Sequence, residues 1–300
     1  MASSPQATLI SRGGVSLVER QGLQQKPRKG KPKVEPWVFH AERKRAFDPE
    51  TPSGLVLLDR SEQLQMQGPG TTPTLLAAYI VVHAGETLTT QFQGGREFYF
   101  VIRGHGTSSG KGERLAWSAG DAFYLPAGNA AAHRAESDSV IYVVSDEPLA
   151  RFLGLQARPS SEQPLHYGGN AIRATQASTL NLTGTSGVVH FGRDAEVLYS
   201  SFVPAWKWLV PDEHQSPHRH AAVAVQLFVA GSKAYSIIGD QRIEWQDFTV
   251  TVTPAGKLHS HHNEGEDVAI YLVTQDFPLY RHLRTYWHEE PASGVCFQDW

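Results

Sequence analysis

One cysteine, Cys296, stands in the 300-residue chain, which excludes an intrachain disulfide framework. No apolar run approaches the roughly 18 residues that a membrane span requires. Charge of neither sign dominates: 27 Lys and Arg against 30 Asp and Glu leave a formal net charge of -3. That balance leaves no electrostatic footprint for nucleic acid or an anionic membrane, and neither is expected as a partner. A secretory apolar segment is missing too. Helical periodicity is scarce, confined to residues 148–155 and 278–286. These absences point to a globular protein in a reducing, cytoplasmic setting.

What is present is β-strand signal. From about Leu75 onward, short runs rich in Val, Ile, Phe, Tyr and Thr alternate with Gly, Pro, Asn and Asp, as at 98–102, 122–125, 141–144, 226–229 and 248–253. Residues 1–35 differ: they are polar, and a basic run through Lys26, Arg28, Lys29, Lys31 and Lys33 is broken by proline and glycine. They read as a flexible N-terminal arm.

The β-rich part repeats itself. Pro148, Leu149, Arg151 and Leu153 match Pro278, Leu279, Arg281 and Leu283; Ile141-Tyr142 matches Ile270-Tyr271; Pro126-Ala-Gly128 matches Pro254-Ala-Gly256; Gly104 matches Gly231. Ordered matches with a slowly drifting offset are what loop insertions do to a duplicated domain. The predicted organisation is an N-terminal barrel over 36–157, a linker over 158–187 and a C-terminal barrel over 188–300.

Histidines of the second half carry the chemistry. His218 and His220, at i and i+2 on a strand, share one face while Arg219 takes the other. After the Pro254/Gly256 turn, His259 opens a new strand. Three imidazoles converging inside a barrel form a facial metal site with open coordination positions. His261 shares the parity of His259 and is a candidate for handling a proton or orienting substrate, whereas His262 is expected to face solvent. Gln226 shares the inward parity of the ligand strand. Trp206 and Trp208 read as core more readily than as a pocket wall. His166, His190, His214, His282 and His288 fit no ligand spacing and are assigned to surface or loops.

These segments resemble the two signature motifs of the cupin superfamily. His218, His220 and Gly231 fit the first, H-x-H-x3-E-x6-G; Pro254, Gly256 and His259 fit the second, G-x5-P-x-G-x2-H. Ala224 stands where many cupins hold a metal-binding glutamate. Gln246-Asp247 stands for the opening Gly-Asp, two residues farther from Pro254 than the pattern, a departure ascribed to a bulge. The missing glutamate is shared with the gentisate 1,2-dioxygenase branch, which the run H-R-H-x3-Ala and the ending P-A-x3-H-x-H resemble. That branch uses three histidines on iron(II). It places its metal in the first barrel and often carries arginine at the position of Gln226, so this chain differs in both respects.

On the same ruler, the first half holds Gln91 and Gln93 in the histidine slots, Glu97 in the glutamate slot and Ala131 in the last. Amides are poor ligands for transition metals, so that barrel reads as a metal site lost, with His133 free to turn inward beside Glu97. The resemblance implies an all-β fold of two tandem cupin jelly rolls. It also implies an Fe(II) dioxygenase acting with O2 on a small oxygenated, aromatic substrate, with His218, His220 and His259 as ligands and His261 and Gln226 as catalytic candidates. Other readings stay open: a non-redox enzyme on Mn, Ni or Zn, or a non-catalytic binding bicupin. A homodimer is expected, since exposed barrel edges and an extended arm invite exchange between subunits.

Overall fold

The computed structural model describes residues 10–12, 15–17, 32–110, 113–125, 128–156, 164–192 and 200–299. It divides into two units. In the first, residues 1–33, the described part is an antiparallel hairpin of Ile10–Arg12 and Val15–Leu17. Most of the predicted arm therefore lies outside the described residues.

The second unit, Val34–Trp300, contains both halves of the repeat. Each half builds a six-stranded and a four-stranded sheet, and every strand pairing among the described residues is antiparallel. In the first half the larger sheet runs Leu165–Tyr167, Ala122–Leu125, Glu97–Arg103, Ser139–Ser145, Leu76–Val82, Gly54–Leu57. In the second it runs Gly187–His190, Val203–Leu209, Ala269–Gln275, Ala224–Ala230, Val250–Thr253, Trp37–Val38. The central strands are apolar on both faces, as sheets covered on both sides must be. In Glu97–Arg103, Tyr99 and Val101 face their own barrel's interior, while Phe98, Phe100 and Ile102 enter a second core. Trp206, Trp208, Val225, Leu227 and Leu272 join that second core from the other half. The two larger sheets thus share one apolar layer, and both tryptophans belong to it. Each smaller sheet closes an interior of its own.

The halves interlock across the predicted boundaries. Trp37 and Val38 pair with Val252 and Thr251, so a segment expected in the first barrel ends a sheet of the second. Within the expected linker, Leu165–Tyr167 pairs back onto Ala122–Leu125, and Gly169–Thr183 is a helix closed by Gly184 in the left-handed region (φ 64°). Gln176 on that helix accepts a hydrogen bond from the Trp206 indole at 2.8 Å. The two helices foreseen after the last strand of each half are Glu147–Phe152 and Phe277–His282.

Pairing registers refine the repeat. Tyr99 stands opposite Val143 and Gln226 opposite Val273, and both ladders shift register at the equivalent place. Ile141 therefore corresponds to Tyr271, one residue from the match drawn in sequence. Phe248 corresponds to Gly120, and both have positive φ, 61° and 91°. The glycine of the second motif is thus present as a conformation and filled by phenylalanine. No bulge is needed, and the spacing to Pro254 is regular. Phe248 is held by stacking on Phe47 (5.7 Å between centroids) and by its carbonyl, which accepts from the Tyr79 hydroxyl at 2.6 Å. Pro126 and Ala127 of the matching first-half turn lie outside the described residues.

Candidate metal centre

His218, His220 and His259 come together: one nitrogen from each lies within 4.8 Å of the others, and among the described residues no other such group of His, Cys, Asp or Glu forms. Backbone pairing places them. His218 and His259 exchange reciprocal N–H···O bonds of 2.9 and 2.8 Å, and the Gly256 amide donates to the His220 carbonyl at 2.7 Å. The Pro254-Ala-Gly256 turn, with Gly256 at φ 71°, therefore fixes both histidine segments at once.

Side-chain hydrogen bonds choose the tautomer. Nδ1 of His218 lies 3.1 Å from the Ser216 carbonyl, Nδ1 of His220 2.9 Å from that of Ala222, and Nδ1 of His259 2.8 Å from that of Lys257. A carbonyl only accepts, so each ring carries its proton on Nδ1 and keeps its lone pair on Nε2. Burial, then the neighbouring imidazoles, pushes His220 down to about 3 and His259 well below the ordinary histidine value; burial also lowers His218. Three neutral rings with their lone pairs on Nε2 fit the donor set of a transition metal, and carbonyls on Nδ1 are the kind of outer partner that metal-ligating histidines have.

These rings stand on the wall of a cavity of about 400 Å³. Gln275, opposite Ala224 in the ladder, reaches the Nε2 of His220 at 3.2 Å, so its amide fills the side left open by the missing glutamate. Lys207, Tyr271 and Val273 line the cavity from the larger sheet; Tyr286, His288 and Glu290 line it from a C-terminal hairpin. That hairpin pairs with Arg219–His220, setting His288 opposite His220, and its ring lies 5.4 Å from that of His218. His288 was assigned to surface or loop because no ligand spacing reaches it; only the pairing of the hairpin brings it in. Lys207 was hidden between two tryptophans that draw the eye to the core, although its parity is that of Ala205 and Leu209.

His261 and Gln226 both face the cavity and hold each other. The Gln226 carbonyl accepts from Thr251 and Thr253 at 3.2 Å each, leaving its amide to donate to His261 Nε2 at 3.0 Å. The His261 Nδ1 proton then goes to Ser236 Oγ (2.8 Å), which also accepts from the Trp245 indole at 2.9 Å. His262 does not face solvent. It is buried on the other side of its strand, against Ser260, His214 and the ring of Tyr235. His214 is its hydrogen-bond partner, and His166 bonds Asp121.

The first barrel repeats the frame without the ligands. Trp117, Ser108 and His133 reproduce Trp245, Ser236 and His261, with indole to hydroxyl at 2.8 Å and hydroxyl to Nδ1 at 2.7 Å. Ala131 pairs with Thr90 as His259 bridges His218, so the ligand slots hold Thr90, Phe92 and Ala131. Gln91 and Gln93 are exposed, one residue out of the expected register. His133 does turn inward, but it bonds Thr90 (3.0 Å) and Ser108, while the Tyr99 hydroxyl takes Glu97. Tyr99, at the position of Gln226, stacks on Phe123 at 4.8 Å and lies 5.3 Å from His133. Tyr99 and Phe123 thus stand where the other barrel has Gln226 and Thr251.

Known proteins agree with this architecture. The Cupin domain model matches residues 78–145, which lie in the first half. A crystal structure of a mutant salicylate 1,2-dioxygenase from Pseudoaminobacter salicylatoxidans, in complex with gentisate, is similar over 90% of this chain and 89% of that one, with a TM-score of 0.71 at 14% identity. The fold is thus the two-barrel cupin fold. Two curated relatives match shorter stretches: 5-aminosalicylate 1,2-dioxygenase from Comamonas sp (32% identity over 113 residues, 36% of this chain and 30% of that protein) and gentisate 1,2-dioxygenase from Ralstonia sp (29% over 95 residues, 29% and 27%). The chain thus covers less than a third of the length of either.

Proposed function

We propose that this protein is an Fe(II)-dependent dioxygenase acting on a small oxygenated aromatic substrate, with His218, His220 and His259 as its protein ligands. The observation that carries the reading is the tautomer pattern: three Nδ1 atoms tied to carbonyls and three Nε2 lone pairs on the wall of one cavity. Iron(II) bound there would supply electrons for reaction with O2 and open positions for an oxygen-bearing substrate beside it. Ala224 adds no carboxylate to the set, so no protein anion offsets the metal's charge from that side. The cavity suits a one- or two-ring molecule, in keeping with relatives named for salicylate-type, gentisate and hydroxynaphthoate substrates. His261 and Gln226, each already hydrogen-bonded, form a fixed polar wall that orients the substrate. His288 and Tyr286 close the cavity from the hairpin.

Protein purified without oxygen and loaded with Fe(II) is expected to consume O2 with at least one of salicylate, gentisate, 5-aminosalicylate or 1-hydroxy-2-naphthoate. His259→Ala is expected to retain its circular dichroism spectrum while losing bound metal and O2 uptake, since two imidazoles remain and the fold rests on apolar packing. Activity with zinc and none with iron would move the assignment to non-redox chemistry, and full metal occupancy in His259→Ala would remove His259 from the ligand set.

A further inference from the structure

Resting on the substrate pocket just proposed, we infer that Lys207 is the residue that selects an anionic substrate, pairing its ammonium with the substrate's carboxylate. Lys207 stands on the strand Val203–Leu209, opposite Tyr271, with its side chain on the barrel's interior face and in the cavity wall. Its neighbours on that face are Ala205 and Leu209, and the rest of the strand is apolar, so nothing in the packing calls for a charge. Among the described residues it has no hydrogen-bond acceptor and no ion-pair partner, and it stands half-buried in the cavity wall. Burial alone lowers its pKa, with no carboxylate acting on it. An ammonium partly withdrawn from water and unpaired is favoured by an anion that reaches it.

The other polar groups of the cavity do not do this work. Gln226 has spent its carbonyl on two threonines and its amide on His261. The inward histidines are held neutral by burial and offer no positive charge. Glu290, on the hairpin, lies 3.5 Å from His288 and repels an anion. Glu213 repels an anion as well, so beside the metal itself an anionic group entering the cavity meets favourable charge at the larger sheet, where Lys207 is the only lysine or arginine in the lining. With its carboxylate there, an aromatic acid can turn its remaining ring oxygen toward the three Nε2 atoms.

The probes are salicylate and its neutral counterpart salicylamide, titrated by ligand fluorescence into zinc-loaded full-length protein, in which no redox turnover intervenes. Wild type is expected to prefer salicylate by roughly ten- to a hundredfold, the range of one charge-assisted hydrogen bond. Lys207→Met, which keeps the length and removes the charge, is expected to reduce that preference to about twofold or less with salicylamide binding unchanged; Lys207→Arg is expected to keep it. Lys207→Gln serves in place of the methionine variant should that fail to fold, and metal content is measured in each. A wild type indifferent to the charge, or a Lys207→Met protein that keeps the preference at full metal content, overturns the assignment. Failure of O2 uptake with the salicylate preference intact would instead sink the dioxygenase reading and leave Lys207 as an anion site.

Discussion

Among single residues, Glu97 shows how differently the two barrels treat equivalent positions. Ala224 leaves its side of the histidine cluster to the Gln275 amide; Glu97 is buried, with one carboxylate oxygen bonded to Tyr99 and the other without a partner. Burial raises its pKa from 4.5 to about 7. Between those values the folded protein holds a proton that the unfolded chain has released, so stability falls as pH rises through the window and the loss is complete above it. Glu97→Gln removes this dependence. Its thermal midpoint relative to wild type is expected to climb from pH 4.5 to pH 7 and then level, a gain of at most about 3 kcal/mol. A midpoint difference that stays flat with pH would show that Glu97 keeps an ordinary carboxylate pKa. The clustering of His218, His220 and His259 was legible in the sequence because strand parity and a Pro/Gly turn fix where they point. The first-barrel slots were misread by one residue because Gln91 and Gln93 look like substituted histidines, whereas burial selects Thr90 and Phe92, the residues an inward face accepts.

At the level of elements, the C-terminal hairpin, Tyr286–Glu290 with Val295–Asp299, is the part that sequence patterning passed over. Its first strand is half-buried and its second exposed, and neither has the sustained apolar alternation that announces a barrel strand. Yet it pairs with Arg219–His220 and carries His288 into the site. The Arg219–Glu289 ion pair at 2.6 Å is still partly open to solvent and contributes little; the backbone ladder is what holds the His220 segment. A chain ending at Arg284 is expected to keep its barrel sheets, read by far-ultraviolet circular dichroism, and to bind zinc at least about tenfold more weakly, the scale of losing outer-shell support. Unchanged zinc affinity would show the hairpin to be a cover only. The motif glycine replaced by Phe248 was illegible for a different reason: a left-handed backbone angle leaves a mark in sequence only when glycine or asparagine occupies it.

For the whole molecule, the duplication was readable but the boundaries were not, because pattern matching follows the repeat while Trp37–Val38 and Leu165–Tyr167 follow the sheets. Residues 188–300 expressed alone lack the strand at Trp37–Val38 and would bare Trp206, Trp208, Leu227 and Leu272 to water. They are expected to be insoluble or self-associated, while the full chain melts in one calorimetric transition. Two separated transitions, or a monomeric soluble second half, would show the shared layer to be dispensable. That layer also bears on inheritance. Phe98, Phe100 and Tyr142 touch no substrate and belong to the half without ligands, yet they brace the sheet on which the metal side is built. Selection on the proposed activity would reach them all the same, so the half without the three histidines is not free to decay: in a saturation-mutagenesis screen for O2 uptake, damaging alleles should fall in both halves, clustered along the layer they share.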